Sequence, residues 1–148
     1  MTAVVDGSVQ SGLTVTDGAV TLTTAGQIVS VGLPVDNELE PMDVQVPVRE
    51  GSGMGRQRTI ASVSLYLENT RQLYVLPAEA TDEDSATSQI KFPASQTFGD
   101  PPLLFTGLKR DEAIPFSDSD APRVVFTVPD PVPCTINAVV FNAQAGQI

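Results

Sequence analysis

Carboxylates dominate the reactive side chains of this chain: 18 Asp and Glu stand against one cysteine, Cys134, and no histidine. Without histidine the usual general base and the commonest transition-metal ligand are missing. Ser-His-Asp and Cys-His nucleophile systems are excluded by inventory. Two carboxylates flanking a glycosidic bond can still act as acid and base, and Glu38 with Glu40, Glu68, and Asp118 with Asp120 are the candidates. Most of them sit beside Gly, Pro or Ser, in turns where solvated loop charge is the default, so no catalytic residue is assigned and the chain is read as not an enzyme. Asp82, Glu83 and Asp84, or Asp118 and Asp120, are hard oxygen ligands of the kind calcium takes, but the EF-hand spacing and its glycine are absent, and no metal is assigned. Gly51-Ser52-Gly53-Met54-Gly55-Arg56 superficially resembles a phosphate-cradling loop. Such loops need a helix after the glycines, and here a strand follows, which makes the segment a hairpin loop and leaves no cofactor implied.

Cys134 has no partner within the chain, so an internal disulfide is excluded and the residue reads as a small buried apolar side chain. Leu65, Tyr66 and Leu67, or Phe126 and Val128, could line a ligand site, but alternation across a sheet accounts for them as core. With no Trp and two Tyr, the aromatic platform of a sugar-binding module is poorly supplied.

The elements that position these residues are strands. Apolar and polar residues alternate with period two and almost nowhere with helical period. Val4–Val5, Leu13–Thr16 and Ala19–Thr23 flank Asp6-Gly7 and Asp17-Gly18, pairs that mark tight hairpins because glycine accepts positive φ. Gln27–Leu33 is a further strand. Asp43–Val48 predicts a half-buried strand with Val44, Val46 and Val48 on one face, and Pro47 makes it an edge or a bulge. Thr59–Glu68 is the longest strand and is expected to be central, with Ala61, Val63, Leu65 and Leu67 on one face and Ile60, Ser62, Ser64 and Tyr66 on the other. Leu73–Leu76 continues it after a turn. Gln89–Phe92 and Leu103–Thr106 are weaker strands, while Arg123–Val128 and Thr135–Phe141 are strong β-branched runs joined through Pro129, Pro131 and Pro133. Glu50–Gly55, Pro77–Ser88 and Lys109–Asp120 are expected loops.

These 148 residues are one domain's worth, 41% hydrophobic and 18% charged, with 12 prolines that disfavour a helical bundle. The expectation is a single all-β domain, an antiparallel β-barrel or β-sandwich with long loops, residues 1–26 forming hairpins and 27–148 the main body. Eight Lys and Arg leave a formal net charge of −10, with no basic run, so specific nucleic-acid binding is not expected. No apolar stretch approaches the ~20 residues of a membrane helix, and no basic segment followed by an apolar one marks an export signal.

Three ordered stretches carry a resemblance. Val15-Thr16-Asp17-Gly18, Val31-Gly32-Leu33-Pro34 and Leu39-Glu40-Pro41-Met42-Asp43-Val44 come first. Gly55-Arg56, Arg58, Ile60, Val63, Leu65-Tyr66-Leu67 and Asn69-Thr70-Arg71 follow, and then Leu104-Phe105-Thr106-Gly107, Pro131, Pro133, Thr135-Ile136 and Ala138-Val139-Val140. Together they resemble the C-terminal β-rich portion of the tail nozzle (tail tube, hub) proteins of short-tailed bacteriophages, over roughly residues 15–142. Departures are Val35 and the segment Ile114-Pro115-Phe116-Ser117, where the family places aromatics, and a basic cluster reduced to Arg56 and Arg58. Full nozzle proteins are several times longer, so the chain corresponds to one domain of such a protein or to a small relative.

The resemblance implies a structural role in the virion: a domain in a ring of identical subunits, six in the full assembly, around the channel through which the genome leaves, in contact with other tail proteins. It sets Asp82, Glu83, Asp84, Asp118 and Asp120, with Arg56 and Arg58, in loops that face the lumen or a partner. The competing class is a β-sandwich binding module whose loops grip a host-surface glycan or protein. A third class, a hydrolase of cell-wall polymer, requires two converging carboxylates.

Overall fold

The computed structural model describes residues 1–35, 37–44, 57–77, 88–93, 103–114, 118–119 and 122–145. Among the described residues strands alone make up the regular structure, and no helix is long and apolar enough to cross a membrane. The strands are β1 (Thr2–Val5), β2 (Ser8–Gln10), β3 (Val15–Thr16), β4 (Ala19–Val20), β5 (Val29–Gly32), β6 (Asn37–Leu39), β7 (Arg58–Thr70), β8 (Tyr74–Pro77), β9 (Ser88–Gln89), β10 (Phe105–Ala113), β11 (Asp118–Ser119), β12 (Val124–Val128) and β13 (Thr135–Ala145).

The two Asp-Gly hairpins form as their chemistry requires. Asp6 and Gly7 take φ of 48° and 90°, and Asp17 and Gly18 take 51° and 80°. Positive φ at both central residues is the type I′ geometry whose twist matches the flanking strands. The first turn joins β1 to β2 and the second joins β3 to β4. β5 adds antiparallel to the other side of β1, giving a small sheet in the order β2-β1-β5.

The main body is an open sandwich and not a closed barrel, so of the two architectures expected the barrel is set aside. One sheet is built on β7, with β13 on one side and β10 and β11 on the other; the second runs β6-β12-β8-β9. Their inner faces share one core, in which Ile60, Val63, Leu65 and Leu67 of the first sheet meet Val75, Val124, Phe126 and Val128 of the second, with Leu73, Ile90 and Ile114. Phe126 and Phe141 contact across the layers with ring centroids 6.5 Å apart. Full burial of each such side chain is worth about 1.5–3 kcal/mol, which makes this core the dominant stabilising element.

β7 is the long central strand expected, but the phase of its alternation changes midway. Ile60 is 1% exposed and Ala61 is exposed, whereas Val63, Leu65 and Leu67 are buried. Opposite β13, Asn142 pairs with Ser62 and Ala143 with Ile60, so Ala61 is the extra residue of a β-bulge. One inserted residue exchanges the faces of everything beyond it, which is why strict alternation places Ile60 and Ala61 on the wrong sides. Two further irregularities carry non-glycine residues in the left-handed region, Asn69 (φ 47°) and Asp111 (φ 52°). At each, a hydroxyl on the facing strand accepts the amide: Asn69 N–H donates to Thr106 Oγ1 (3.0 Å) and Asp111 N–H to Ser64 Oγ (3.1 Å).

Other expectations need correction. The run Leu73–Leu76 does not extend the β7 ladder; β8 crosses to the other sheet and pairs with β12. Lys109–Ala113, read as the start of a loop, belongs to β10, because pairing with β7 continues past the bulge. Val44 lies outside any strand, and the rest of the expected strand at 45–48 lies outside the described residues. The loops expected at Glu50–Gly55 and 78–87 also lie outside them.

Candidate functional site

Two features separate this molecule from a plain sandwich: an unguarded apolar strand and an open seam between its sheets. The strand is β5, an edge strand whose four residues are all exposed. Across the run that contains it, Ile28, Val29, Val31, Leu33 and Val35 are all exposed, Val31 at 46% and Leu33 at 75%. Gln27–Val35 contains no charged residue. Edge strands are ordinarily protected by charge, proline or bulges, and an exposed contiguous apolar run marks an interaction surface.

The small sheet that carries β5 is tied down by two charged residues. The Asp6 carboxylate accepts backbone N–H bonds from Ile28 (2.8 Å) and Gln27 (3.0 Å). These bonds, Ile28's first, hold the Asp6 carboxyl below its usual value. Arg71, at the corner leaving β7, donates through Nη1 to the Gly7 carbonyl, and its backbone N–H donates to Pro133 O (3.0 Å). Positive φ is what asks for glycine at Gly7; an added Cβ would fall 2.3 Å from Arg71 Nη1, at the flexible end of that side chain, and would displace the guanidinium from the turn. Arg71 thereby clasps the β1–β2 turn to the sandwich.

The seam is a groove of about 400 Å³ between the edge strand of one sheet, β6, and the start of β13 in the other. Its lining is Asn37, Glu38 and Leu39 on one side, Val132, Cys134 and Ile136 on the other, and Leu73, Phe126 and Val128 between them. Among the described lining residues Glu38 is the one ionisable group besides the thiol. Thr70 secures the β13 side, where its Oγ1 accepts the Thr135 N–H (3.1 Å) and lies 3.2 Å from the Thr135 carbonyl. Burial pushes the half-buried Cys134 thiol up from its ordinary value, opposed by a hydrogen bond from Thr70. On the β6 side, Arg123 pairs with Glu40 and approaches Asp43 (Nε to Oδ1, 3.6 Å), fastening the segment after β6 to the start of β12. These side chains are roughly half exposed, and such a pair is worth ~0–1 kcal/mol.

The residues singled out from sequence fall elsewhere. Arg58, grouped with partner-facing loop charges, instead opens β7, is 3% exposed, and donates from Nη1 to the Val44 carbonyl (2.6 Å). The reason is the bulge at Ala61, which turns Arg58 and Ile60 inward together. Asp118 lies on β11, where its backbone pairs with Thr59. Arg56, Asp82, Glu83, Asp84 and Asp120 lie outside the described residues. Of the carboxylates considered for catalysis, Glu38 rims the groove, Glu40 is held by Arg123, and Glu68 accepts from Asn137 Nδ2 (3.2 Å) on the neighbouring strand β13 of its own sheet. Among the described residues no three Asp, Glu, Cys or His side chains gather as a metal site. Sequence reasoning missed the groove and the β5 edge as sites, although the charge-free run at Gln27–Val35 was there to be read.

No protein-family model and no curated protein matches the chain.

Proposed function

We propose that the chain is a structural domain of a bacteriophage tail, of the nozzle or hub type, standing in a ring of identical subunits around the DNA exit channel and in contact with other tail proteins. The observation that carries the reading is the ordered string of segments from Val15 to Val140 that resembles the nozzle family. Several of its elements coincide with strands: Val15-Thr16 with β3, Leu65-Tyr66-Leu67 with β7 and Ala138-Val139-Val140 with β13. Val31-Gly32, from the Val-Gly-Leu-Pro segment, closes the exposed edge strand β5. A net charge of −10 also suits a channel that DNA must pass without adhering, because it offers repulsion in place of counterion-releasing contacts.

Immunogold labelling of purified phage particles with serum raised against this chain tests the assignment. Gold confined to the tail is the expected result. Unlabelled particles, with the chain detected in the same lysate, would refute it. A selective signal on a glycan array would favour the host-surface binding module instead.

A further inference from the structure

The free edge of β5 and the free edge of β13 suit each other better than either suits a charged partner. Among the described residues β5 pairs only with β1, and β13 only with β7. Asp6 N–H donates to Ile28 O (2.8 Å), so Ile28 begins the set bonded to β1. Bonding alternates along an antiparallel strand, which places the backbone N–H and C=O groups of Val29 and Val31 on the open side. β13 presents a second edge without charge or proline over Thr135–Ala145; its ladder with β7 shifts at Asn137 and again after Asn142, which leaves Ala138–Asn142 as an unbroken stretch on which the outward-facing Val140 is 63% exposed.

Other described edges are short or guarded: β3, β4, β9 and β11 are two residues each, β10 is bulged and carries Lys109, Arg110, Asp111 and Glu112, and three-residue β6 carries Glu38. At the end of β2, the Gln10 side chain bonds the backbone of Thr23 (2.8 Å) and Thr24 (3.2 Å). Native proteins guard edges to stop pairing, and among the described residues β5 and the Ala138–Asn142 stretch of β13 carry no such guard. Beside the start of β13 lies the seam, whose apolar wall includes Val132, Cys134 and Ile136. An apolar strand suits that wall, and Val29, Val31 and Leu33 share one face of such a strand.

We propose that β5 of one copy adds as an extra strand along β13 of the next, directing Val29, Val31 and Leu33 toward the seam. The occupant is a second copy because this chain itself supplies both matching edges, each an uncharged run, and the mutual repulsion of copies at −10 is least where two such runs meet. The contact is heterologous, using two different patches, and such contacts close into rings or continue as filaments. This deepens the ring reading above and rests on it.

The test uses two variants of the full chain. Val31→Pro removes an outward amide on an edge strand and keeps the bonds to β1; Val31→Lys serves in its place if the proline variant fails to fold. Val140→Lys with Asn142→Lys places charge on two exposed positions of β13. Analytical ultracentrifugation at up to about 1 mM should show the wild type forming species larger than a dimer and each variant as a monomer. Mixed one to one, the two variants should form a complex of twice the monomer mass and no larger, because one productive pair of edges remains. A monomeric wild type, a Val140→Lys/Asn142→Lys variant that still associates through β5 alone, or a mixture that stays monomeric would each overturn the proposal. Tail labelling alongside a monomeric wild type would remove this contact and leave the tail assignment standing; the mixing rule obeyed by a chain absent from tails would do the reverse.

Discussion

Ile60 and Ala61 offer a direct trial of the register that builds the central sheet. Strict alternation from Leu67 backward places Ala61 in the core and Ile60 outside; the bulge opposite Asn142 and Ala143 reverses them. Ile60→Ala removes three carbons from a side chain that is 1% exposed. At about 0.8 kcal/mol per methylene the transfer loss is ~2.4 kcal/mol, and the residual cavity brings the expected cost to ~3 kcal/mol, within the ~2–5 range for such truncations. Ala61→Lys, on the exposed face, should stay within about 0.5 kcal/mol of wild type. With a urea m-value of ~2 kcal/mol/M, Ile60→Ala should lower the unfolding midpoint by ~1.5 M at unchanged m. The thermal midpoint should drop by ~6–12 °C for a domain of this size. Urea titration followed by far-UV circular dichroism reads both variants. A costly Ala61→Lys beside a neutral Ile60→Ala would refute the bulge and restore simple alternation along β7.

Two further outcomes follow from groups whose ionisation the fold shifts. Asp6 has its carboxyl pKa lowered by the Ile28 and Gln27 amides, so its contribution to stability is fully present above its ordinary value of 3.8 and is lost as pH falls through the lower folded value. Asp6→Asn should therefore be less stable than wild type near neutral pH, with the gap closing in strong acid; a gap of constant size in urea titrations across that range would show that the charge is not what the amides recognise. Cys134, whose thiol is raised by burial, should react with iodoacetamide several-fold more slowly in the folded chain than in urea at mildly alkaline pH, because the thiolate is the nucleophile. Its raised pKa also predicts declining stability as pH climbs past the ordinary thiol value of 9.0, and mass spectrometry showing equal labelling rates in both states would contradict the half-buried placement.

Local chemistry was legible without coordinates where a few neighbouring residues decide the outcome. Asp6-Gly7 and Asp17-Gly18 dictate their hairpins because positive φ at two successive positions is a property of those residues alone. Runs such as Val124–Val128 and Thr135–Phe141 declare strands by their β-branched content, and with the prolines they suffice for an all-β class. Tertiary structure alone decided which strands pair and which edges stay bare. Ala61 is indistinguishable in sequence from a core alanine; its exposure follows from a register set with β13, far along the chain. The same non-local pairing buries Arg58, draws Lys109–Ala113 into β10, and sends β8 to the opposite sheet. The seam was equally out of reach, because Glu38, Phe126 and Cys134 become neighbours only when two sheets stack and leave β6 and β13 as facing edges. Alternation within a strand is a local signal, whereas register, bulges and free edges belong to pairs of strands, and a single segment carries no record of its partner.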